Sequence, residues 1–379
     1  MTYITPLCCH WRAKTYREEV APVQACIKTE NGKVEMMDLP IPEPGEGEIV
    51  VKTSMATVCG SDMHLLDELP NELLEGLYPG NLRPEGMPMG HEGVGTVHAI
   101  GPNVTRVKEG DRIISACLVG CGTCTECMHG DYSVCTGGGG MLGRLILGCQ
   151  GEYYRIPFAD VNVARVPDGV SDEHAILASD IMSTGFAAIE RADAGFGDSV
   201  AIFAQGPLGL MATAGARARG CGLIIAVDTV PERLEMSKKF GANVVINPKE
   251  KDPVAEIMSL TGNTGVDISV EAVGTQATFE AATRVIRRGG TVSGIGVYGT
   301  VPQVSMPIIG APSFYHRRIV TTFCPGGHVR MEHLLSLLQN GNIDLSPVFT
   351  HSMKLADMPK AYDLFRAKTD GVLKIAITP

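Results

Sequence analysis

The chain has 379 residues, of which 44% are hydrophobic and 20% charged, and its formal net charge is −10 at pH 7. This composition is typical of a globular protein and disfavours both intrinsic disorder and a membrane-spanning chain. An acidic balance without a long run of Lys and Arg also disfavours binding to nucleic acid or to an anionic membrane. The length exceeds what one hydrophobic core usually serves, so we expect two domains.

Residues 1–22 are predicted to be an N-terminal extension that precedes the first folded strand. Met1–Arg17 has no apolar stretch behind a basic start, so it does not resemble a secretory signal, and we predict a cytoplasmic protein. In that reducing compartment the twelve cysteines are expected to be metal ligands or buried thiols rather than disulfides. Cys8, Cys9 and His10 fall in the extension and receive no role.

The first half of the chain is predicted to consist of strands and turns, with little helical periodicity. The predicted strands are Val23–Lys28, Glu48–Lys52, Gly93–Ile100 and Asp111–Ser115. Asp67–Met89 is rich in proline and glycine, which predicts a surface excursion bordering an active-site cleft.

After about residue 184, predicted strands alternate with helices. The strands are Val200–Ala204, Leu223–Asp228, Val244–Asn247, Val266–Val273 and Thr291–Val297. The helices are Leu208–Arg219, Pro231–Phe240, Pro253–Leu260 and Gln276–Arg287. Because the strands are almost continuously apolar, they predict a doubly wound parallel sheet and an α/β fold class. Two helices, His328–Gln339 and Ala356–Ala367, and a strand, Val372–Ile377, complete the prediction.

The strongest single motif is a group of four closely spaced cysteines, Cys121, Cys124, Cys127 and Cys135. Their spacing lets one loop fold around a single ion, as in a closed tetrahedral zinc site. Disulfides and an iron–sulfur cluster are the alternatives. Such a site has four protein ligands, so it predicts a rigid lobe rather than chemistry.

A second motif is typical of dinucleotide binding and lies where a predicted strand turns into a helix. Its residues are Ala204, Gln205, Gly206, Pro207, Leu208 and Gly209, with alanine in place of the first fingerprint glycine. Gly206 lets a pyrophosphate approach the helix N-terminus, whose N–H groups favour an anion. A tight turn without a nucleotide is the alternative. We expect Ala204 to be accommodated if its φ is negative.

The end of the next predicted strand bears on the choice of nucleotide. Asp228 can accept hydrogen bonds from both ribose hydroxyls and repels a 2′-phosphate, which predicts NAD rather than NADP. Arg233 lies nearby and opposes that preference.

A third constellation combines residues that are distant in sequence. Cys59, His91 and Asp180 would supply sulfur, nitrogen and oxygen ligands with a fourth position open, as in a catalytic zinc site. Taken singly, Cys59 is as well explained by a buried core thiol and His91 by a satisfied polar residue. Asp62, between Ser61 and His64, is expected to be scaffold only.

Together these residues resemble the zinc-dependent medium-chain alcohol dehydrogenase family, over nearly the whole chain from Val23. The resemblance rests on Cys59–His64, Gly90–Gly95, the four cysteines and the Gly206/Gly209 turn, in that order. Ser179–Phe186 and Cys324–Met331 are most similar to the bacterial secondary-alcohol dehydrogenases, which use an aspartate as the third zinc ligand. Those enzymes as a rule lack the four-cysteine lobe and commonly prefer NADP, so the chain resembles a separate branch.

The resemblance implies a role for each site residue. Cys59, His91 and Asp180 would hold the catalytic zinc, and Glu92 would be the neighbouring carboxylate that can enter its coordination sphere. Ser61 would hydrogen-bond the alcohol oxygen, and His64 would connect a proton relay to solvent. Thr184 and Val273 would contact the cofactor.

The resemblance also implies the architecture. A GroES-like, mostly β catalytic domain would comprise residues 23–183 and 325–379, with a structural zinc lobe at 117–136. A Rossmann NAD-binding domain would comprise residues 184–324. We expect a homo-oligomer, a tetramer rather than a dimer.

The predicted function is reversible oxidation of an alcohol by NAD, with two zinc ions per chain and a secondary, medium-sized or aryl substrate. A polyol, amino-alcohol or formaldehyde dehydrogenase on the same scaffold is the alternative. A non-catalytic zinc- and NAD-binding sensor is a further one, which the Ser61–His64 relay argues against. The substrate pocket is predicted to be lined by Leu65–Met89, Gly137–Gly148 and Pro302–Ser313.

Overall fold

A computed structural model describes residues 22–30, 32–67, 86–144, 146, 148–299, 303–306 and 316–379. The strands are β1 (Val23–Glu30), β2 (Lys33–Leu39), β3 (Ile49–Val58), β4 (Met87–Pro88), β5 (Gly93–Ile100), β6 (Arg112–Ser115), β7 (Leu118–Val119), β8 (Gly140–Met141), β9 (Tyr153–Ile156), β10 (Val163–Arg165), β11 (Ser199–Phe203), β12 (Leu223–Val227), β13 (Val244–Ile246), β14 (Val266–Glu271), β15 (Ile286–Gly294), β16 (Arg318–Thr321), β17 (Phe349–Lys354) and β18 (Lys374–Thr378).

The helices of the described residues are α1 (Gly60–Asp67), α2 (Thr125–Met128), α3 (Ala159–Asn162), α4 (Asp172–Leu177), α5 (Ile181–Arg191), α6 (Pro207–Ala218), α7 (Pro231–Phe240), α8 (Pro253–Leu260), α9 (Gln276–Arg284), α10 (His328–Gln339) and α11 (Met358–Ala367). Short 3-10 turns occur at Tyr132–Val134, Ser346–Val348 and Leu355–Asp357. Within these described ranges, no helix has the length and apolarity needed to span a membrane.

The second half of the chain forms a six-stranded sheet in the order β13-β12-β11-β14-β15-β16. Every pair in it is parallel, which confirms the predicted doubly wound sheet. Counted from β11, this is the strand order 3-2-1-4-5-6, in which the order reverses between β11 and β14. Ligands of such sheets bind in the crevice outside the carboxyl ends of those two strands.

A mostly antiparallel sheet joins the beginning of the chain to its end. Its order is β10-β6-β5-β3-β18-β17, with β9 also pairing with β3, and a smaller sheet has the order β2-β1-β4. Strand β18 pairs with β3 antiparallel, so the C-terminal strand lies beside the strand that leads to Cys59. Whether the chain divides at 183/184 and 324/325 stays a prediction, and α5 runs across the first of these positions.

Several predicted elements have different bounds in the structure. The strand predicted at Glu48–Lys52 continues to Val58, because almost all of its residues are buried and pair with neighbours on both sides. Helix α1 follows Cys59 directly, where a turn was expected, since this short helix carries little amphipathic pattern. The helix predicted at Gln276–Arg287 ends at Arg284, and β15 begins at Ile286 rather than at Thr291.

Some predictions lie outside the described residues. These are Cys8, Cys9 and His10, most of the predicted excursion Asp67–Met89, and most of the predicted pocket segment Pro302–Ser313.

Candidate active site

A cavity of about 340 Å³ opens between the two large sheets. One wall carries Cys59, Ser61 and His64 from the end of β3 and from α1, and the opposite wall carries the glycine turn that begins α6. The cavity therefore lies at the crevice where this type of sheet binds its ligands.

Three polar side chains converge beside this cavity: Cys59 and Asp180 line it, and His91 is buried next to them. Cys59 lies between β3 and α1, His91 precedes β5, and Asp180 immediately precedes α5. Asp180 Oδ2 lies 3.8 Å from Cys59 Sγ and 3.3 Å from His91 Nε2. The ligand atoms of all three residues lie within 4.8 Å of one another. Sulfur, imidazole nitrogen and carboxylate oxygen at this separation are able to hold one zinc ion with a coordination position left open.

Asp62 fixes the orientation of two of these groups, a role that the sequence did not indicate. Its Oδ1 lies 2.9 Å from His91 Nδ1, and its Oδ2 accepts a hydrogen bond of 3.0 Å from the backbone N–H of Cys59. With Nδ1 donating to Asp62, the lone pair of Nε2 faces Cys59 and Asp180. A metal-binding histidine needs a hydrogen-bond acceptor at its other ring nitrogen, and this requirement could have drawn attention to Asp62.

The electrostatics of the cluster favour a positive charge. Burial opposes the charged form of His91, but the carboxylates of Asp62 and Asp180 outweigh it and raise the pKa of His91. Burial likewise opposes ionisation of Asp180, but the hydrogen bond and charge of His91 hold the pKa of Asp180 below its ordinary value. A cation bound among Cys59, His91 and Asp180 would replace this proton.

Glu92 lies behind the cluster and is not part of the cavity wall. It is buried, and its Oε2 accepts hydrogen bonds from Thr57 Oγ1 and from the Lys374 ammonium. Burial raises the pKa of Glu92, while the charge of Lys374 lowers it. Glu92 Oε1 has no hydrogen-bond partner among the described residues. Lys374 comes from β18, far along the chain, and nothing in the local sequence pointed to it.

The cavity wall also contains three other side chains that were predicted to share one site, Ser61, His64 and Thr184. Ser61 Oγ lies 3.1 Å from His91 Nε2, so the hydroxyl is next to the metal-binding trio. His64 is one helical turn further along α1. Thr184 Oγ1 donates a 3.0 Å hydrogen bond to Asp180 Oδ1 and thereby positions that carboxylate.

Most of the predicted cofactor residues lie on the opposite wall, namely Gly206, Pro207, Leu208, Gly209, Arg233 and Val273. A Cβ on Gly209 would lie 1.9 Å from the carbonyl oxygen of Ala204, so only glycine allows the helix to approach the strand this closely. Ala204 has a φ of 83°, so a negative φ, the condition under which its methyl group was expected to be accommodated, is not met. The backbone must reverse here between β11 and α6, and it does so in a left-handed conformation.

Asp228 is not among the residues that line the cavity. Its Oδ2 accepts a 2.6 Å hydrogen bond from the backbone N–H of Gln205, and its Oδ1 accepts one of 2.9 Å from Val230. The carboxylate therefore joins the end of β12 to the glycine turn, and Arg233 is the charged residue of this region that faces the cavity.

The four clustered cysteines converge in a separate lobe, where their sulfur atoms lie within 4.8 Å of one another. Cys121 Sγ is 4.0 Å from Cys127 Sγ, and Cys124 Sγ is 3.8 Å from Cys135 Sγ. Zinc–sulfur bonds of about 2.3 Å in a tetrahedron place sulfur atoms about 3.8 Å apart, so the distances fit zinc. Despite partial burial, hydrogen bonds from Thr123 and Cys124 lower the pKa of Cys121 to about 6, whereas burial and neighbouring thiolates raise that of Cys127 to about 12.

A glycine turn between a parallel strand and a helix, facing a cluster of cysteine, histidine and aspartate, is the arrangement expected of a metal-dependent dehydrogenase. Comparison with known families agrees. The alcohol dehydrogenase GroES-like domain matches residues 45–168, and the zinc-binding dehydrogenase domain matches residues 207–340. The chain belongs to the zinc-dependent medium-chain alcohol dehydrogenase family, whose members use zinc and a nicotinamide cofactor. The predicted family and fold class are thereby confirmed.

The relatives define the class of reaction more closely than the substrate. An alcohol dehydrogenase of Cupriavidus necator is 40% identical over 375 residues, covering 95% of this chain and 99% of the relative. An NADP-dependent isopropanol dehydrogenase of Thermoanaerobacter brockii is 32% identical, covering 90% and 96%. The solved structure of an alcohol dehydrogenase from Thermus sp. ATN1 superposes with a TM-score of 0.83 at 32% identity, covering 94% of this chain and 99% of that one. These similarities support a zinc-dependent alcohol oxidoreductase.

Proposed function

We propose that the protein oxidises a secondary alcohol reversibly with NAD and that it carries two zinc ions per chain. The observation that supports this most directly is that Cys59 and Asp180, which converge with the buried His91, line a cavity whose other wall is the Gly206 turn. One ligand space thus borders both two members of the metal-binding trio and the proposed phosphate-binding turn.

The donor atoms fit the two metal ions. Cys59, His91 and Asp180 would hold the catalytic zinc with an open position, and Cys121, Cys124, Cys127 and Cys135 would hold the structural zinc with none. Gly206, Pro207, Leu208 and Gly209 would hold the pyrophosphate of the dinucleotide, with Thr184 and Val273 nearer its nicotinamide.

When bound, zinc makes an alcohol more acidic and the nicotinamide accepts hydride. Ser61, beside His91 Nε2 and facing the cavity, accepts the proton of the alcohol hydroxyl and releases its own hydroxyl proton in turn. His64, one turn further along α1 on the same cavity, passes that proton towards solvent. Lys374 neutralises Glu92, which keeps the buried side of the site from gaining a net negative charge.

Replacing Cys59 tests the catalytic assignment. Cys59→Ala should abolish alcohol oxidation and remove one zinc ion, because the trio loses its sulfur ligand, while NADH binding persists because the Gly206 turn is intact. Turnover, zinc content and NADH fluorescence are measured. Cys221→Ser is the control, since Cys221 is a partly buried thiol outside the cavity wall. Full activity in Cys59→Ala contradicts the assignment.

Substrate and cofactor preference are tested together with a kinetic panel. We expect the highest kcat/KM for medium-sized or aryl secondary alcohols with NAD, compared with polyols, L-threonine and formaldehyde and with NADP. Because the carboxylate at the end of β12 repels a 2′-phosphate, Asp228→Asn should lower the NAD/NADP ratio of kcat/KM by about tenfold, equivalent to 1.4 kcal/mol. An NADP preference in the unaltered protein would overturn the NAD proposal.

We also propose the two-segment division of the chain given above, with a Rossmann domain at 184–324, and a homotetramer in the cytoplasm. Light scattering of the purified protein measures the mass of the assembly, and a monomer or dimer contradicts the tetramer.

A further inference from the structure

A second group of potential metal ligands borders the same cavity. Sulfur atoms of Cys117 and Cys324 and a carboxylate oxygen of Asp180 lie within 4.8 Å of one another, the same limit that the two proposed zinc sites meet. Cys117 lies between β6 and β7, and Cys324 follows β16, so both large sheets contribute one thiol. Both thiols are buried residues of the cavity wall.

The backbone around these thiols supplies partial negative charge. Cys324 Sγ lies 3.8 Å from the carbonyl oxygen of Ser179, 3.6 Å from that of Asp180 and 3.7 Å from that of Pro325. Each of these carbonyls also accepts a hydrogen bond from another group, namely the N–H of Cys117, the N–H of Thr184 and the hydroxyl of Ser183, respectively. A carbonyl oxygen has two lone pairs, so one on each remains to face the sulfur or a cation. Convergent carbonyl dipoles beside two sulfur atoms and a carboxylate form an environment that stabilises a cation.

We propose that Cys117, Cys324 and Asp180 form an inhibitory site for a second, thiophilic divalent cation. Sulfur ligands select soft cations, and Cd²⁺ is a soft divalent cation that is suited to test the site. Binding forms two metal–sulfur bonds and releases the two thiol protons, with no change in oxidation state. Because Asp180 is shared with the proposed catalytic zinc, this inference rests on the proposed function, and the bound cation would occupy the space through which an alcohol reaches that zinc.

The charges of the metal-binding side chains balance when both cations are present. Cys59, Cys117, Cys324 and Asp180 would carry four negative charges, which two divalent ions neutralise. The Asp62 carboxylate, which accepts from His91 Nδ1, adds one further negative charge beside the site. A carboxylate has two oxygens and is able to bridge two metal ions about 3.5–4 Å apart. The nearby Glu92–Lys374 pair is already neutral and leaves this balance unchanged.

Equilibrium dialysis of the zinc-loaded protein against Cd²⁺ tests the site without requiring turnover. We expect one Cd²⁺ to bind per chain while the zinc content stays constant, with the ultraviolet absorption of a cadmium–thiolate bond. Cys117→Ser and Cys324→Ser should each weaken this binding by at least about tenfold, the scale on which metal sites respond to a lost partner. Cys221→Ser should bind Cd²⁺ like the unaltered protein.

Two results overturn the proposal. One is Cd²⁺ uptake matched by an equal loss of zinc, which means exchange at the zinc sites. The other is unchanged Cd²⁺ affinity in both serine variants. The thermal midpoint of each variant is measured first, and alanine variants at Cys117 and Cys324 replace any serine variant that does not fold.

Kinetics then test inhibition. Cd²⁺ should compete with the alcohol, and its inhibition constant should rise in Cys117→Ser by the same factor as the dissociation constant. Bound Cd²⁺ that leaves the KM of the alcohol unchanged contradicts an inhibitory role. A protein that binds Cd²⁺ as described yet oxidises none of the alcohols contradicts the proposed function and leaves the cation site standing.

Discussion

Ala204 ends β11 in a backbone conformation that is unfavourable for any residue with a Cβ. A left-handed conformation costs an L-residue about 1–2 kcal/mol, and glycine pays none of this cost. The carbonyl oxygen of Ala204 packs so closely against Gly209 that a Cβ there would lie 1.9 Å away, and this packing holds the strained turn in place. The turn between β11 and α6 therefore stores a small, removable strain.

Ala204→Gly should raise the stability of the protein by up to about 1 kcal/mol, since relief of the left-handed strain exceeds the extra chain entropy of glycine. Thermal unfolding should show a midpoint about 2 °C higher. Ala201→Gly, in the middle of β11 without a positive φ, is the control and should lower the midpoint. A lower midpoint in Ala204→Gly would contradict the strain.

At the scale of elements, one buried chain of hydrogen bonds joins α11 to α1. Tyr362 of α11 donates a 2.7 Å hydrogen bond to Gln150 Oε1. Gln150 Nε2 donates to Thr57 O at 2.8 Å and to Asp62 Oδ2 at 3.3 Å. Because Asp62 orients His91, a helix near the C-terminus reaches the candidate metal site through three side chains.

Tyr362→Phe should weaken both the fold and the proposed catalytic zinc site. The buried Gln150 Oε1 loses its donor, which costs about 1–3 kcal/mol, and Asp62 loses part of its support. We expect a lower thermal midpoint and faster zinc release, measured with a chelating dye. Tyr298→Phe, which removes a 3.0 Å hydrogen bond to Glu271 in the other sheet, should lower the midpoint only. Equal zinc release from the two variants would show that the chain of hydrogen bonds does not reach the site.

The parts of the site that the sequence predicted are those whose signal is local. The four cysteines and the Gly206–Gly209 turn are each encoded within one short loop, and alternation of strands and helices predicted the parallel sheet. The Glu92–Lys374 pair joins positions separated by 282 residues, and the pairing of β18 with β3 brings them together. Gln150, Tyr362, Cys117 and Cys324 were missed for the same reason, because a single sequence does not reveal tertiary contacts between separate segments.

At the scale of the whole molecule, the two candidate zinc sites differ in what surrounds them. Cys59 and Asp180 of the first site line the cavity between the sheets, with His91 buried beside them. None of the four cysteines of the second site, Cys121, Cys124, Cys127 and Cys135, lines that cavity. Loss of one metal should therefore leave the function of the other region intact.

Cys135→Ser tests this separation. The variant should lose one zinc ion per chain and unfold at a lower temperature, because the lobe loses one of four sulfur ligands and its remaining thiolates repel one another without a cation. NADH binding should persist, since the Gly206 turn belongs to the other sheet. Zinc content, the thermal midpoint and NADH fluorescence are measured against Cys221→Ser, which should keep both zinc ions. If Cys135→Ser also keeps both, the lobe is not a zinc site, and its sulfur atoms would then be held at 3.8–4.0 Å by the backbone N–H donors of the loop alone.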